Sequence, residues 1–195
     1  KSMSTIVIDA GHGTYSEHKS HVVNGKKVYE GFINRQLAGM LGALLEWDGH
    51  NVIYTVNPND TRDLSLSYRV RVANQYKDSV FISLHSNASR GHNAEGWEIF
   101  TSRGKTNSDL LAECIADEVQ KIQDKTSIRL RFDFSDGDKD KEADFYVLRK
   151  TRGVAVLIET LFFDNPKDYK KLDTLEFRQQ IVVAYYRGVT RFLSQ

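Results

Sequence analysis

Apolar residues follow two rhythms along the chain. Short, nearly unbroken runs occur at Ile6-Val7-Ile8, 51–56, 80–84, 97–101 and 154–158, each the length of a buried strand. Between them, apolar positions recur every three or four residues. Ile33, Leu37, Met40, Leu41, Leu44 and Leu45 predict an amphipathic helix over 31–47, stopped by Asp48-Gly49. The same spacing predicts helices over 66–76, 108–123 and 175–193. Asn57-Pro58-Asn59-Asp60 reads as a turn, and Asn24-Gly25 is a two-residue hairpin signal inside the polar stretch 14–28. Residues 125–142, rich in Asp and Lys, read as loop with at most a short edge strand at 128–134.

Continuous apolar strands alternating with helices predict an α/β sandwich around a largely parallel sheet, because parallel neighbours need crossover helices and are covered on both faces. In such sheets, sites gather beyond the carboxyl ends of the strands. Three ionisable residues are expected there. His12 follows the first strand in Asp9-Ala10-Gly11-His12-Gly13, His85 follows 80–84, and Glu159 follows 154–158. A histidine after a strand is commonly a hydrogen-bonded structural residue, so each ring gains meaning only if other ligands converge on it.

Composition narrows the class. At 195 residues and 40% hydrophobic content, with two prolines, the chain is expected to be one domain over 1–195 with a sizeable core. Its 27 basic and 26 acidic residues leave a net charge of +1, which gives no electrostatic case for nucleic acid or an anionic membrane as partner. The single Cys114 sits at helical spacing among apolar residues, so it reads as core and no internal disulfide is possible. No run approaches the roughly 20 apolar residues of a membrane span, and the start lacks a secretion signal pattern. Lys1-Ser2 ahead of Met3 reads as a cloning remnant, so a trimmed leader stays open.

Two histidines and a carboxylate would suffice for a zinc hydrolase, which needs three ligands and one open position. Glu30, just before the helix at 31–47, is a candidate third ligand; the alternative is a first-turn glutamate favoured by the helix dipole. Glu159, at the end of a buried run, could act as general base and then proton donor, or else serve as a cap or salt-bridge partner for the segment after it. Asn87 lies close enough to His85 to contact a substrate or orient the ring, although loop asparagines mostly form turns. Arg69 reads as a fold-stabilising ion pair, His50 as structural, and His18, His21 and His92 as loop residues bordering the cleft.

The segments Ile8-Asp-Ala-Gly-His-Gly13, Glu30 with Ile33-Asn34 and Leu37, Ser65-Leu66 with Arg69 and Ala73-Asn74, Phe81-Ile-Ser-Leu-His-Ser-Asn-Ala88, Val147-Leu148-Arg149, and Val156-Leu-Ile-Glu159 with Phe162 and Asn165-Pro166 run through nearly the whole chain in order. Together they resemble the catalytic domain of the zinc-dependent N-acetylmuramoyl-L-alanine amidases. The resemblance implies a twisted, mostly parallel sheet of about six strands with helices on both faces. It implies zinc held by His12, Glu30 and His85, with Glu159 as the catalytic glutamate. The implied substrate is peptidoglycan, cut between the muramic lactyl group and L-alanine of the stem peptide, and the implied place of action is the cell wall. Val154 and Asn57 depart from the family's usual residues without touching a ligand position. Some relatives carry a helical plug over the zinc; here the helix at 108–123 is needed for the core, so an open site, a monomer and no activator requirement are expected. The rival readings are a wall-binding module of the same fold without turnover, and a zinc peptidase acting on another short peptide.

Overall fold

The computed structural model describes residues 2–195. In chain order the elements are β1 (Thr5–Ala10), β2 (Ser20–Val23), β3 (Lys26–Tyr29), α1 (Glu30–Trp47), β4 (Asn51–Tyr54), α2 (Leu66–Asn74), β5 (Val80–Asn87), β6 (Glu98–Thr101), α3 (Asn107–Lys121), α4 (Gln123–Thr126), β7 (Lys141–Glu142), α5 (Tyr146–Lys150), β8 (Val154–Phe162), α6 (Pro166–Leu172) and α7 (Leu175–Leu193). Six strands form one sheet in the order β4-β1-β5-β8-β6-β7. All its neighbours are parallel except β6 and β8. The expected α/β sandwich with a mostly parallel sheet of six strands is therefore what forms.

The alternation along each strand decides what covers each face. Ile6, Ile8, Ile82, Leu84, Val156 and Ile158 join α1, α3 and α7 in the larger core, which Trp97 and Tyr185 anchor through an indole-to-phenol hydrogen bond of 2.7 Å. Val7, Phe81, Ala155 and Leu157 face the other way, against Val70 and Ala73 of α2 and Val147 and Leu148 of α5. That second layer is thin, and its apolar contacts stop short of the carboxyl ends of β5 and β8. His85 and Glu159 continue the rows of Phe81 and Leu157 past the end of this cover, and both keep partial solvent access.

Several boundaries differ from the sequence reading. β5 and β8 do not end before their polar residues; His85 and Glu159 lie within the strands and pair directly in register. A strand is held by backbone hydrogen bonds, so an ionisable side chain need not end it. Glu30 is the first residue of α1 rather than lying ahead of it. Residues 128–134, read as loop with at most a short edge strand, form only a single bridge between Trp97 and Leu130, and the edge strand of the sheet is β7. Ile128, Leu130 and Phe132 alternate because they pack into the larger core. The hairpin expected around Asn24-Gly25 is β2–β3, and both turn residues have positive φ (50° and 77°). Its second strand runs straight into α1, so this loop delivers Glu30.

Candidate active site

His12 sits in a backbone conformation uncommon for a residue with a side chain, φ +63°. Two buried guanidinium groups hold it there. Arg35 Nη1 of α1 and Arg69 Nη2 of α2 both donate to the His12 carbonyl, at 2.9 and 3.3 Å. Arg35 reaches further to the carbonyls of Gly31, Asp60 and Arg62. Arg69 also bonds Asp9 Oδ1 (2.9 Å), Ala10 O (2.6 Å) and Leu64 O (2.9 Å). Gly11 is required for space: a Cβ there would lie 2.1 Å from Cε1 of His85.

Glu30 is buried between the two imidazoles. Its Oε1 lies 3.0 Å from Nδ1 of His85 and its Oε2 lies 3.4 Å from Nε2 of His12. Oε1 also accepts from the Ser86 N–H (3.2 Å) and from Nδ2 of Asn34 (3.3 Å), whose amide donates as well to Gly11 O at 3.0 Å. Burial alone would raise the Glu30 carboxyl, but His85 and His12 hold it below the usual carboxylate range. Burial lowers His12 to about 4, against the pull of Glu30. Burial is the largest single influence on His85 and would lower it too, but the hydrogen bond and charge of Glu30, with Glu159 and Asp9 adding to them, together raise that ring. The rings cross at 86° with centroids 5.1 Å apart. One donor atom from each of His12, Glu30 and His85 lies within 4.8 Å of the others. A buried carboxylate flanked by two imidazoles is a nitrogen and oxygen donor set suited to zinc, so the residues fit the metal that the sequence implied.

A second group, His12, His18 and Asp63, is equally close, but His18 and Asp63 are exposed and Asp63 is engaged by Ser16 and Arg69. His21 and His92 stack at 3.8 Å, with His92 Nδ1 2.7 Å from Asp164, while Ser4 N–H and Asp48 engage His50. Arg69 forms the ion pair expected of it.

Across the sheet from His85, Glu159 is flanked on its other side by Glu98 of β6, in register. Burial is the largest influence on Glu159 and, with Glu30 and Glu98 adding to it, pushes its carboxyl up to about 8 despite His85. Its Oε2 is buried with no hydrogen-bond partner in the protein. Asn87 does not reach toward the histidines; its amide donates to Glu98 Oε1 at 2.6 Å. Arg131 Nε (3.1 Å) and Lys141 Nζ (2.5 Å) hold the other oxygen of Glu98. Sequence reasoning missed Glu98 and Arg35. A glutamate inside the apolar run 97–101 was the available signal for the first; nothing local marked the second.

The chain matches the family profile described as N-acetylmuramoyl-L-alanine amidase over residues 6–191. It is 32% identical over 192 residues to the N-acetylmuramoyl-L-alanine amidase CwlM of Bacillus licheniformis, covering 97% of this chain and 68% of that protein. It spans only 34% of the length of another 32% identical relative, an uncharacterized cell wall amidase of Bacillus anthracis. Among solved structures, an N-acetylmuramoyl-L-alanine amidase of Clostridium difficile 630 superposes with a TM-score of 0.85 at 27% identity, over 100% of this chain and 99% of that one. The CwlD amidase of Clostridioides difficile, solved in complex with the GerS lipoprotein, gives 0.81 at 28% identity over 98% of each chain.

Proposed function

Because the chain belongs to the N-acetylmuramoyl-L-alanine amidase family, we propose that it hydrolyses the amide between the lactyl group of N-acetylmuramic acid and L-alanine of the peptidoglycan stem. The observation that carries this reading is Glu159, a carboxyl with a free buried oxygen set directly beside His85 of the His12, Glu30 and His85 donor set. Those three residues would hold zinc, which when bound would supply Lewis-acid chemistry, polarising a carbonyl and acidifying water.

The remaining work belongs to the chain. In its ionised form, which a cation held beside it would favour, Glu159 takes a proton at Oε2 from the water that attacks the lactyl carbonyl carbon. It returns that proton to the amide nitrogen as the C–N bond breaks, leaving the free amine of L-alanine and a lactyl carboxyl group that loses its remaining proton to the amine or to solvent. Glu98, in register beside Glu159, adds to the upward push on the Glu159 carboxyl and so favours the protonated acid needed for the second step. Asn87 contributes by fixing Glu98 at the rim, where it borders bound substrate. Asn34 and the Ser86 N–H fix the carboxylate of Glu30. The domain works on the cell wall as a monomer and without an activator protein. No helix among the described residues is long and apolar enough to cross a membrane.

The test is a digest of purified peptidoglycan by the zinc-loaded domain alone, followed by mass spectrometry. New lactyl carboxyls and free L-alanine amines are expected, and Glu159→Gln is expected to retain fold and zinc while losing about a hundredfold or more in turnover. Wall binding without product would support the non-catalytic module, and cleavage elsewhere in the stem would support a different peptidase. Activity that emerged only on adding a partner protein would overturn the activator-free reading.

A further inference from the structure

The chain beside the His12 and Glu30 donors carries aromatic rings that the fold leaves in the open. Tyr15, in the loop after β1, is 58% exposed, and Phe32, in the first turn of α1, is 44% exposed. Their ring centroids lie 6.4 Å apart at a tilt of only 31°, so the two share nearly one orientation. Tyr29, at the end of β3, meets Tyr15 edge-on at 5.4 Å and 87°. It is fixed in turn, its hydroxyl donating to Glu17 at 3.0 Å. Rings that are braced without being covered form a standing apolar patch, and such patches on a folded surface mark contact with a ligand.

Two adjoining clefts of about 540 and 340 Å³ share Tyr15, Phe32, Gln36 and Arg178 in their walls, and the larger adds Asn59 and Thr61. The cations around them are already engaged. Lys26 and Lys27 are ion-paired with Asp173 and Glu17, Arg35 donates to four backbone carbonyls, and Arg178 donates to the Leu172 carbonyl at 2.8 Å. What stays available is aromatic surface beside neutral amides and hydroxyls. That combination suits an uncharged ligand with apolar C–H faces and many hydroxyl or acetamido groups better than an acidic or basic peptide.

The patch is continuous with the catalytic edge. Tyr15 is three residues past His12, so by contour length its Cα lies within about 11 Å of that of His12. The turn between them is pressed onto α1, where a Cβ on Gly31 would lie 1.9 Å from the Gly13 carbonyl oxygen. The short helical turn Glu17–Lys19 joins the two regions, with Glu17 on Tyr29 and the His18 ring 5.8 Å from that of His12. We propose that Tyr15 and Phe32 form a sugar-stacking subsite that holds the N-acetylhexosamine strand of the substrate, a ring or two away from the muramoyl residue being cut. The inference rests on the amidase reading, in which the substrate is such a strand. Stacking there favours long strands over single muramoyl peptides without adding a group to the chemistry.

The experiment uses the full, zinc-loaded chain and two substrates, a muramoyl peptide with one sugar ring and a tetrasaccharide carrying the same peptide. The tetrasaccharide should show a KM lower by about fivefold to thirtyfold, as expected of one or two aromatic anchors, with a similar kcat. NMR titration with chitotetraose, a neutral N-acetylglucosamine tetramer without peptide, should show saturable binding with a Kd of about 0.1–1 mM. Tyr15→Leu and Phe32→Leu keep apolar area but remove the ring face. Each should cut the length advantage and weaken chitotetraose binding while zinc content stays the same. Tyr15→Trp, which supplies a larger ring, should keep both. Trp47→Leu, at the far end of α1 and 84% exposed, is the control and should match the parent. Equal KM values for the two substrates, or no chitotetraose binding at about 10 mM, would overturn the proposal. So would a full length advantage in Tyr15→Leu, which would mark the patch as a docking surface for an apolar protein segment. Failure of the amidase reading looks different: chitotetraose binding without cleavage of either substrate would overturn that reading alone, and cleavage of both without a length advantage would overturn the subsite alone.

Discussion

Replacing Arg69 by methionine tests whether the fold is built inward from the His12 turn. The guanidinium and its partner Asp9 are 2% and 1% exposed, so solvent screening offers little relief. The substitution removes the ion pair with Asp9 Oδ1 and strands the carbonyls of Ala10 and Leu64. Asp9 would keep only the hydroxyls of Thr55 (2.5 Å) and Ser83 (2.6 Å). Breaking one side of a buried pair typically costs about 3–5 kcal/mol, because the other charge is left without compensation. For a domain of this size each kcal/mol moves Tm by about 2–4 °C, so a fall of about 6–20 °C is expected by circular dichroism. The pH response should also reverse. In the native protein burial alone would raise the Asp9 carboxyl, but Arg69, Ser83 and Thr55 hold it below its ordinary value. Its contribution is therefore present above the unfolded value near pH 4 and is lost as pH falls through the lower folded value. Without Arg69, burial dominates, the folded value rises above the unfolded one, and the variant should gain stability as pH falls from 7 toward 5. Adding Asp9→Asn should recover part of the loss. A variant within about 1 kcal/mol of the parent, with an unchanged pH response, would refute the argument.

The same geometry sets three further outcomes. His85→Ala should lose most bound zinc by elemental analysis while still folding, and full occupancy at unchanged affinity would remove His85 from the ligand set. Gly11→Ala should push the His85 ring off Glu30, lowering zinc affinity and costing about 1–3 kcal/mol of stability, as overpacking in a filled site does; a silent substitution in both assays would contradict the 2.1 Å approach. Shortening the β2–β3 hairpin so that β3 no longer leads into α1 should reduce zinc content through Glu30, whereas changes confined to Asn24-Gly25 should leave zinc in place, both read by elemental analysis.

The sequence made some of these residues legible and hid others for physical reasons. His12, His85 and Glu159 stood out because each lies just after an apolar run, and a parallel sheet gathers strand ends along one edge. Glu30 did not stand out from spacing, since a glutamate in a first helical turn is common; the family resemblance singled it out. The roles of Arg35 and Glu98 could not be read locally because their partners lie far away in sequence, the His12 carbonyl 23 residues from Arg35 and Lys141 43 from Glu98, although the glutamate inside the apolar run 97–101 was itself a signal. The alternating Ile128, Leu130 and Phe132 imitated a strand because packing beside an established core rewards the same period without a ladder.

The start of α1 has an electrostatic consequence of its own. No side chain caps that helix end, so its free N–H groups concentrate positive potential, a field that favours anions and opposes cations. Glu30, the first helical residue, opposes that field with its own charge, as a group that could hold a cation there must. A variant lacking the carboxylate would lose more than one ligand: the uncapped helix end beside two imidazoles would favour phosphate or sulfate over a cation.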